Sequence, residues 1–172
     1  MRMLTRTLWV LLGLIVLLPF IQAAMSPLQL SRNPAYIIGG LAGVAALAML
    51  LIQPLFAAGY MPGVHRLRQQ RWHRWIGATF GLALLVHIGG LYLTSPDDVS
   101  DALLLVSPTP FSVYGVIGLW SAVATILLVL IRRRMRLGVS AWKIVHNILG
   151  LVVVVASVVP VSYTHLTLPT KA

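Results

Sequence analysis

The sequence predicts an all-α membrane protein, a polytopic helix bundle with five spanning helices. Of its 172 residues, 59% are hydrophobic and only 9% are charged, whereas a soluble domain carries roughly 25% charged residues. A spanning helix needs about 20 apolar residues, and runs of this kind lie at 8–24, 36–58, 75–93, 111–131 and 142–159. None alternates as a membrane β-strand does, and backbone groups in lipid must bond internally, so we predict helices.

The first run has a second interpretation. Arg2 and Arg6 precede an apolar stretch that ends near the small residues Ala23 and Ala24, as in a cleaved signal peptide. The run is also long enough to span, and the charges alternate correctly between loops when it is counted as a helix. We therefore treat it as the first helix, although hydropathy alone does not separate the two interpretations.

The distribution of charge predicts the orientation. The 13 Lys and Arg residues concentrate before the first run and in the second and fourth loops, whereas all three acids, Asp97, Asp98 and Asp101, lie in the third loop. The positive-inside rule then places the N-terminus and the even-numbered loops in the cytoplasm. We expect a multi-pass protein of the bacterial inner membrane that contacts lipid and binds no nucleic acid, because topology already accounts for the net charge of +10.

Three histidines carry the functional signal. His73, His87 and His146 lie in or at the edge of a spanning run, where ionisable residues are costly and indicate function. The 14 residues between His73 and His87 put both within about 40° of one helix face and about 21 Å apart. His146 lies near the start of the fifth run as His73 lies near the start of the third, so the two are expected at similar depth. One iron porphyrin can then take an axial histidine from each helix.

Neighbouring residues fit the same hypothesis. Gly77 and Gly150 each follow a histidine by four residues and would give a planar macrocycle room against the backbone. Arg74 and Lys143 would pair with its anionic propionates. The alternative is that the histidines bond across helices, the glycines pack helices and the cations only set topology. The absence of cysteine excludes thiolate-bound clusters and Cys-ligated zinc.

Several segments resemble the ferric reductase-like transmembrane domain family. They are HRWIG at 73–77, with a histidine at 87, SPTPF at 107–111 and WKIVH at 142–146. The family includes the membrane cores of ferric reductases and NADPH oxidases and the haem membrane subunit that serves a periplasmic methionine sulfoxide reductase. The resemblance implies six or more helices and b-type haems held between two helices, each with two histidines 13 or 14 residues apart. Carried over, His73 and His87 form the first pair, and His146 begins the second.

The resemblance covers residues 1–159, which we expect to form a haem-binding transmembrane domain. The partner of His146 should stand near position 160, where the sequence has Pro160. Residues 160–172 lose hydropathic continuity and look like a non-homologous tail from an assembly artefact. We therefore expect that the fourth histidine and at least a sixth helix are missing.

A haem iron with two axial histidines has no open position and suits electron transfer. We expect an electron-transfer subunit of an oxidoreductase with one or two haem b groups, working from a cytoplasmic donor to a periplasmic acceptor such as ferric iron or a redox enzyme. The sequence has no G-x-G-x-x-G fingerprint, so the donor is expected to be a flavoprotein reductase, with flavin on that partner, or a quinol. The alternative is a non-haem structural or small transport protein.

Overall fold

The computed structural model describes residues 2–27, 31–109, 112–132, 134–135 and 138–166. These residues form six helices and no strand, which confirms the predicted all-α class. The helices are α1 (Arg2–Ala24), α2 (Pro34–Ala58), α3 (Arg66–Thr94), α4 (Pro96–Leu103), α5 (Ser112–Ile131) and α6 (Val139–Leu166). All but α4 are long and apolar enough to cross a membrane. The chain is a multi-pass membrane protein.

The helices extend beyond the apolar runs. α3 begins at Arg66 rather than near 75, because backbone hydrogen bonding continues through polar residues that a hydropathy window rejects. The basic residues assigned to or beside the second loop therefore lie on the first turns of α3. The short helix α4, in the third loop, was not predicted. Its first turn carries Asp97 and Asp98, where the helix dipole favours acidic side chains.

The last helix bears on the predicted tail. The backbone of α6 is helical as far as Leu166, past the expected boundary at 159, and residues 167–172 lie outside the described residues. The division into a domain at 1–159 and a tail at 160–172 stays a prediction. The expected absence of a sixth spanning helix also stays a prediction.

The chain divides into two compact units, Met1–Pro96 and Asp97–Ala172. In the first unit α2 packs along α3, and α1 contacts α2. The rings of Phe56 and Trp72 lie 5.5 Å apart between centroids, and Trp9 of α1 lies 6.4 Å from each. In the second unit α5 packs against α6. Each unit therefore has its own helix–helix core.

Local signals fix where α2 and α3 begin and end. The side chain of Asn33 accepts a hydrogen bond from the backbone N–H of Ala35 at 2.9 Å and caps α2. The left-handed conformation of Gly59 (φ 78°) ends α2. His65 then caps α3, because its Nδ1 accepts from the N–H of Leu67 at 3.3 Å. This exposed histidine has a structural role outside the spanning histidines.

A buried glutamine holds the turn between α2 and α3. Gln69 is 2% exposed, and its Oε1 accepts from the N–H of Met61 at 3.1 Å. Its Nε2 donates to the carbonyls of Met61, at 2.8 Å, and Val64, at 2.7 Å. The turn is thereby tied to α3 one helical turn before His73.

Candidate functional site

Two histidines of α3 bridge to the backbone of α2. Nδ1 of His73 lies 3.2 Å from the carbonyl oxygen of Gln53, and Nδ1 of His87 lies 2.8 Å from that of Gly39. The histidines are 14 residues apart on α3, and the two carbonyls are 14 residues apart on α2 in the opposite order. The two helices thus run antiparallel in a register that repeats the same contact at two levels.

These contacts fix the tautomer of both rings. A carbonyl oxygen only accepts hydrogen bonds, so Nδ1 carries the proton and donates it. In the neutral ring the lone pair then lies on Nε2. Histidines that bind metals commonly donate their other ring N–H to a backbone carbonyl in this way. Both rings on α3 therefore have the protonation pattern of an Nε2 ligand.

The ring of His87 lies in a glycine-lined notch. A methyl carbon on Gly43 would lie 2.7 Å from Nδ1 and 2.9 Å from Cε1 of His87, so the ring occupies the space above that glycine. Close by, a methyl carbon on Gly90 would lie 2.6 Å from the carbonyl oxygen of Ala35 and 2.8 Å from Cα of Gly39. The two helices touch backbone to backbone here. We call Gly39, Gly43, His87 and Gly90 the His87 site.

At the His73 end of the interface, the side chain of Gln53 lies over a glycine of α3. A methyl carbon on Gly77 would lie 3.0 Å from Nε2 of this glutamine, so the amide group covers the glycine one turn after His73. Oε1 of Gln53 is buried without a hydrogen-bond partner among the described residues. We call Gln53, His73 and Gly77 the His73 site. A polar side chain lies over Gly77, whereas backbone atoms lie over Gly90.

His146 lies in the second unit, on α6, and is half-buried. Its ring stacks on that of Trp142, one turn earlier, with 5.2 Å between centroids and 16° between planes. The guanidinium carbon of Arg132 lies 4.0 Å from the centroid of the Trp142 ring. A cation, an indole and an imidazole thus form a layered group, and the indole limits how the His146 ring can turn.

The other predicted site residues lie as follows. Arg74 and Lys143 are exposed. Gly150 has no side-chain or other-helix atom within 4 Å of where its Cβ would stand. Their predicted roles toward a porphyrin stay predictions. The pairing of His73 with His146 does too, because the two histidines belong to separate units.

Sequence reasoning missed the contribution of α2. Gly39, Gly43 and Gln53 received no role, although Gly39 and Gln53 repeat the 14-residue spacing of the two histidines. That spacing was the available signal. Within the described parts of the chain, no group of three or more His, Cys, Asp or Glu side chains could hold a metal ion. A haem iron needs no such group, because single imidazoles serve as its axial ligands.

Apolar spanning helices with histidines at their contacts define a class, the multi-pass membrane protein with polar side chains inside its helix pairs. The sequence model of the family described as "Ferric reductase like transmembrane component" matches residues 40–157. The chain belongs to this family, which confirms the resemblance. The matched region contains His73, His87 and His146. No curated protein and no solved structure matches the chain.

Membership of this family implies a function in general terms. A ferric reductase-like transmembrane domain implies electron transfer across a membrane, and such domains generally bind haem. It also implies redox partners and contact with membrane lipid.

Proposed function

We propose that the chain is an electron-transfer subunit of an oxidoreductase that binds one or two b-type haems through His73, His87 and His146. The observation that carries this proposal is the repeated contact between α2 and α3. Two imidazoles on one stripe of α3 donate from Nδ1 to carbonyls of α2, so each has its lone pair on Nε2. Axial ligation of haem iron uses such a nitrogen.

Bound haem supplies one-electron transfer, and the residues of the chain supply its position and surroundings. The carbonyls of Gln53 and Gly39 set the tautomer of the rings and limit their rotation. The stack of Trp142 on His146 limits the rotation of the third ring. The apolar helices exclude water, which lets fixed dipoles act more strongly on a nearby redox centre.

We propose further that electrons pass from the cytoplasmic side outward. On α3 the two histidines stand about 21 Å apart along the axis, in a hydrocarbon core about 30 Å thick. The basic residues at the start of α3 support a cytoplasmic location of its His73 end, and with it a cytoplasmic N-terminus in a bacterial inner membrane. The donor would be a flavoprotein reductase carrying flavin or a membrane quinol, and the acceptor ferric iron or a periplasmic redox enzyme.

The competing function is a non-haem structural or small transport protein. One observation favours it: the hydrogen bonds from His73 and His87 to α2 already give each ring a role in holding two helices together. This alternative and the haem proposal make opposite predictions about colour.

The test is the reduced-minus-oxidised absorption spectrum of the full chain, purified in lipid nanodiscs with haem supplied. We expect a b-type α-band. His73→Ala and His146→Ala should each remove the same part of this band, because one iron would need both ligands. His65→Asn is the matched control, since it alters a histidine outside the spanning set and retains a capping side chain.

A colourless wild-type protein would overturn the proposal in favour of the structural or transport function. If the protein is coloured and loses its band with His73→Ala but not with His146→Ala, the proposal that it binds haem stands. The pairing of these two residues is then refuted. A band unchanged by His73→Ala, by His87→Ala and by His146→Ala would refute the ligand assignment.

A further inference from the structure

The notch above Gly43 is shaped around one ring. The methyl carbon of an alanine here would lie 2.7 Å from Nδ1 and 2.9 Å from Cε1 of His87, well inside the usual contact distance of about 3.5–4.0 Å. Three residues earlier on the same helix, Gly40 has nothing within 4 Å of the corresponding position. His87 therefore depends on the absence of a side chain at Gly43, and it does not depend on the absence of one at Gly40.

The same ring is held one turn earlier on α2. Nδ1 of His87 donates to the carbonyl of Gly39 at 2.8 Å, and Gly39 and Gly43 are separated by one helical turn. The imidazole can reach that carbonyl only while it lies against this stretch of α2. The room above Gly43 and the bond to Gly39 are therefore two requirements of a single ring position.

We propose that Gly43 is a positioning residue for His87. It leaves the space in which the imidazole lies against α2, donates from Nδ1 to Gly39 and keeps its lone pair on Nε2. A methyl group at position 43 would displace the ring, and the ring can yield by rotating about its own side-chain bonds. That rotation takes Nδ1 away from the Gly39 carbonyl, so both the tautomer and the direction of Nε2 lose their constraint.

The position of the ring does not depend on haem. Only the identity of what Nε2 binds rests on the proposed function. The backbone is not required to move, because the clashing atoms belong to a side chain. This distinguishes Gly43 from Gly90, whose close neighbours are backbone atoms.

The first test uses the haem-free full chain in nanodiscs, with ¹⁵N in its histidine rings and the His87 signals assigned by His87→Ala. In the wild type we expect His87 as the Nδ1–H tautomer with a hydrogen-bonded proton. Gly43→Ala should lose that proton signal and mix the two tautomers, whereas Gly40→Ala should leave it unchanged. The His73 signals should be the same in all three proteins, since that ring bonds to Gln53.

Three results would overturn the proposal. One is a wild-type His87 ring with its proton on Nε2. Another is a Gly43→Ala protein that retains the wild-type His87 signals. An unfolded Gly43→Ala protein beside a folded Gly40→Ala protein would also count against it, because the strain would then fall on the helices and not on the ring.

The second test is a haem titration of the same proteins. The binding component that His87→Ala removes should weaken about 10- to 100-fold in Gly43→Ala, the usual effect of losing a group that orients a metal ligand. Gly40→Ala should bind as the wild type does. If His87→Ala removes no component, the proposed function fails at this residue, while the nuclear magnetic resonance result still decides the role of Gly43.

Discussion

The His87 site and the His73 site repeat one hydrogen bond in two kinds of packing. At the His87 site α2 and α3 meet backbone to backbone, and the imidazole fills the notch above Gly43. At the His73 site the amide of Gln53 lies between the helices and covers Gly77. The antiparallel register places the two hydrogen bonds 14 residues apart on each helix. Local side-chain volume sets how tightly each ring is held.

The comparison teaches that two hydrogen bonds of the same kind, from a histidine Nδ1 to a backbone carbonyl, can lie in packing of different tightness. The ring of His87 lies where a side chain at Gly43 would begin, and backbone atoms lie where one at Gly90 would begin, so added volume at either glycine causes a clash. One turn after His73, the flexible side chain of Gln53 lies over Gly77, and the backbone carbonyl of the same residue accepts the hydrogen bond from the ring. The side chain of Gln53 can change while its carbonyl stays. We therefore expect substitutions to be poorly tolerated at the first site and well tolerated at the second.

The largest effect is expected from Gly90→Ala. The added carbon would lie 2.6 Å from the carbonyl oxygen of Ala35 and 2.8 Å from Cα of Gly39, and backbone atoms cannot rotate away. The helices must separate, at an expected cost of about 3 kcal/mol in the free energy of unfolding. Gly89→Ala is the matched control, because nothing lies within 4 Å of its added carbon. Chemical unfolding in nanodiscs measures both, and equal stabilities would remove the steric basis of the comparison.

The next effect tests what holds the His73 end together. Gln69→Met removes three hydrogen bonds to the turn at Met61 and Val64 and leaves their backbone groups unpaired, so we expect a loss of about 2 kcal/mol in the free energy of unfolding. Gln70→Met changes the exposed neighbour and should be nearly neutral. If both variants are equally stable, polar contacts do not hold this end of α2 and α3, and the contrast with the glycine contacts disappears.

Much of the architecture was predictable because hydropathy reports directly on lipid. The five spanning helices and the location of two histidines on one stripe of α3 follow from run lengths and spacing. The start of α3 at Arg66 and the existence of α4 did not follow, since polar residues also form helices and no membrane signal marks them.

The partner side of the histidines was not predictable from single positions. Nothing in the sequence around Gly39, Gly43 or Gln53 marks any of them singly as a partner of a histidine. Their role depends on the register between two helices, which is decided by packing along the whole interface. The pairing of His73 with His146 stays a prediction, because spacing and hydropathy give the two residues a similar depth and no more.

The smallest effect, and the most specific, is expected from Gln53→Met. The substitution keeps the backbone carbonyl that accepts from Nδ1 of His73, so the tautomer of this ring should not change. It also removes an amide oxygen that is buried without a partner among the described residues. Because an unsatisfied polar group costs roughly 1–3 kcal/mol, the haem-free variant should gain about 1 kcal/mol in the free energy of unfolding.

Gln22→Met on α1 is the control, since that glutamine is exposed and its replacement should be nearly neutral. Stability by chemical unfolding and the ¹⁵N signals of His73 together decide the matter. A destabilised Gln53→Met protein with an altered His73 tautomer would mean that the amide side chain, and not the carbonyl alone, holds the ring. The two sites would then be alike, because each ring would depend on the side chain at one position of α2. The amide of Gln53 would hold the ring of His73, as the missing side chain of Gly43 makes room for the ring of His87.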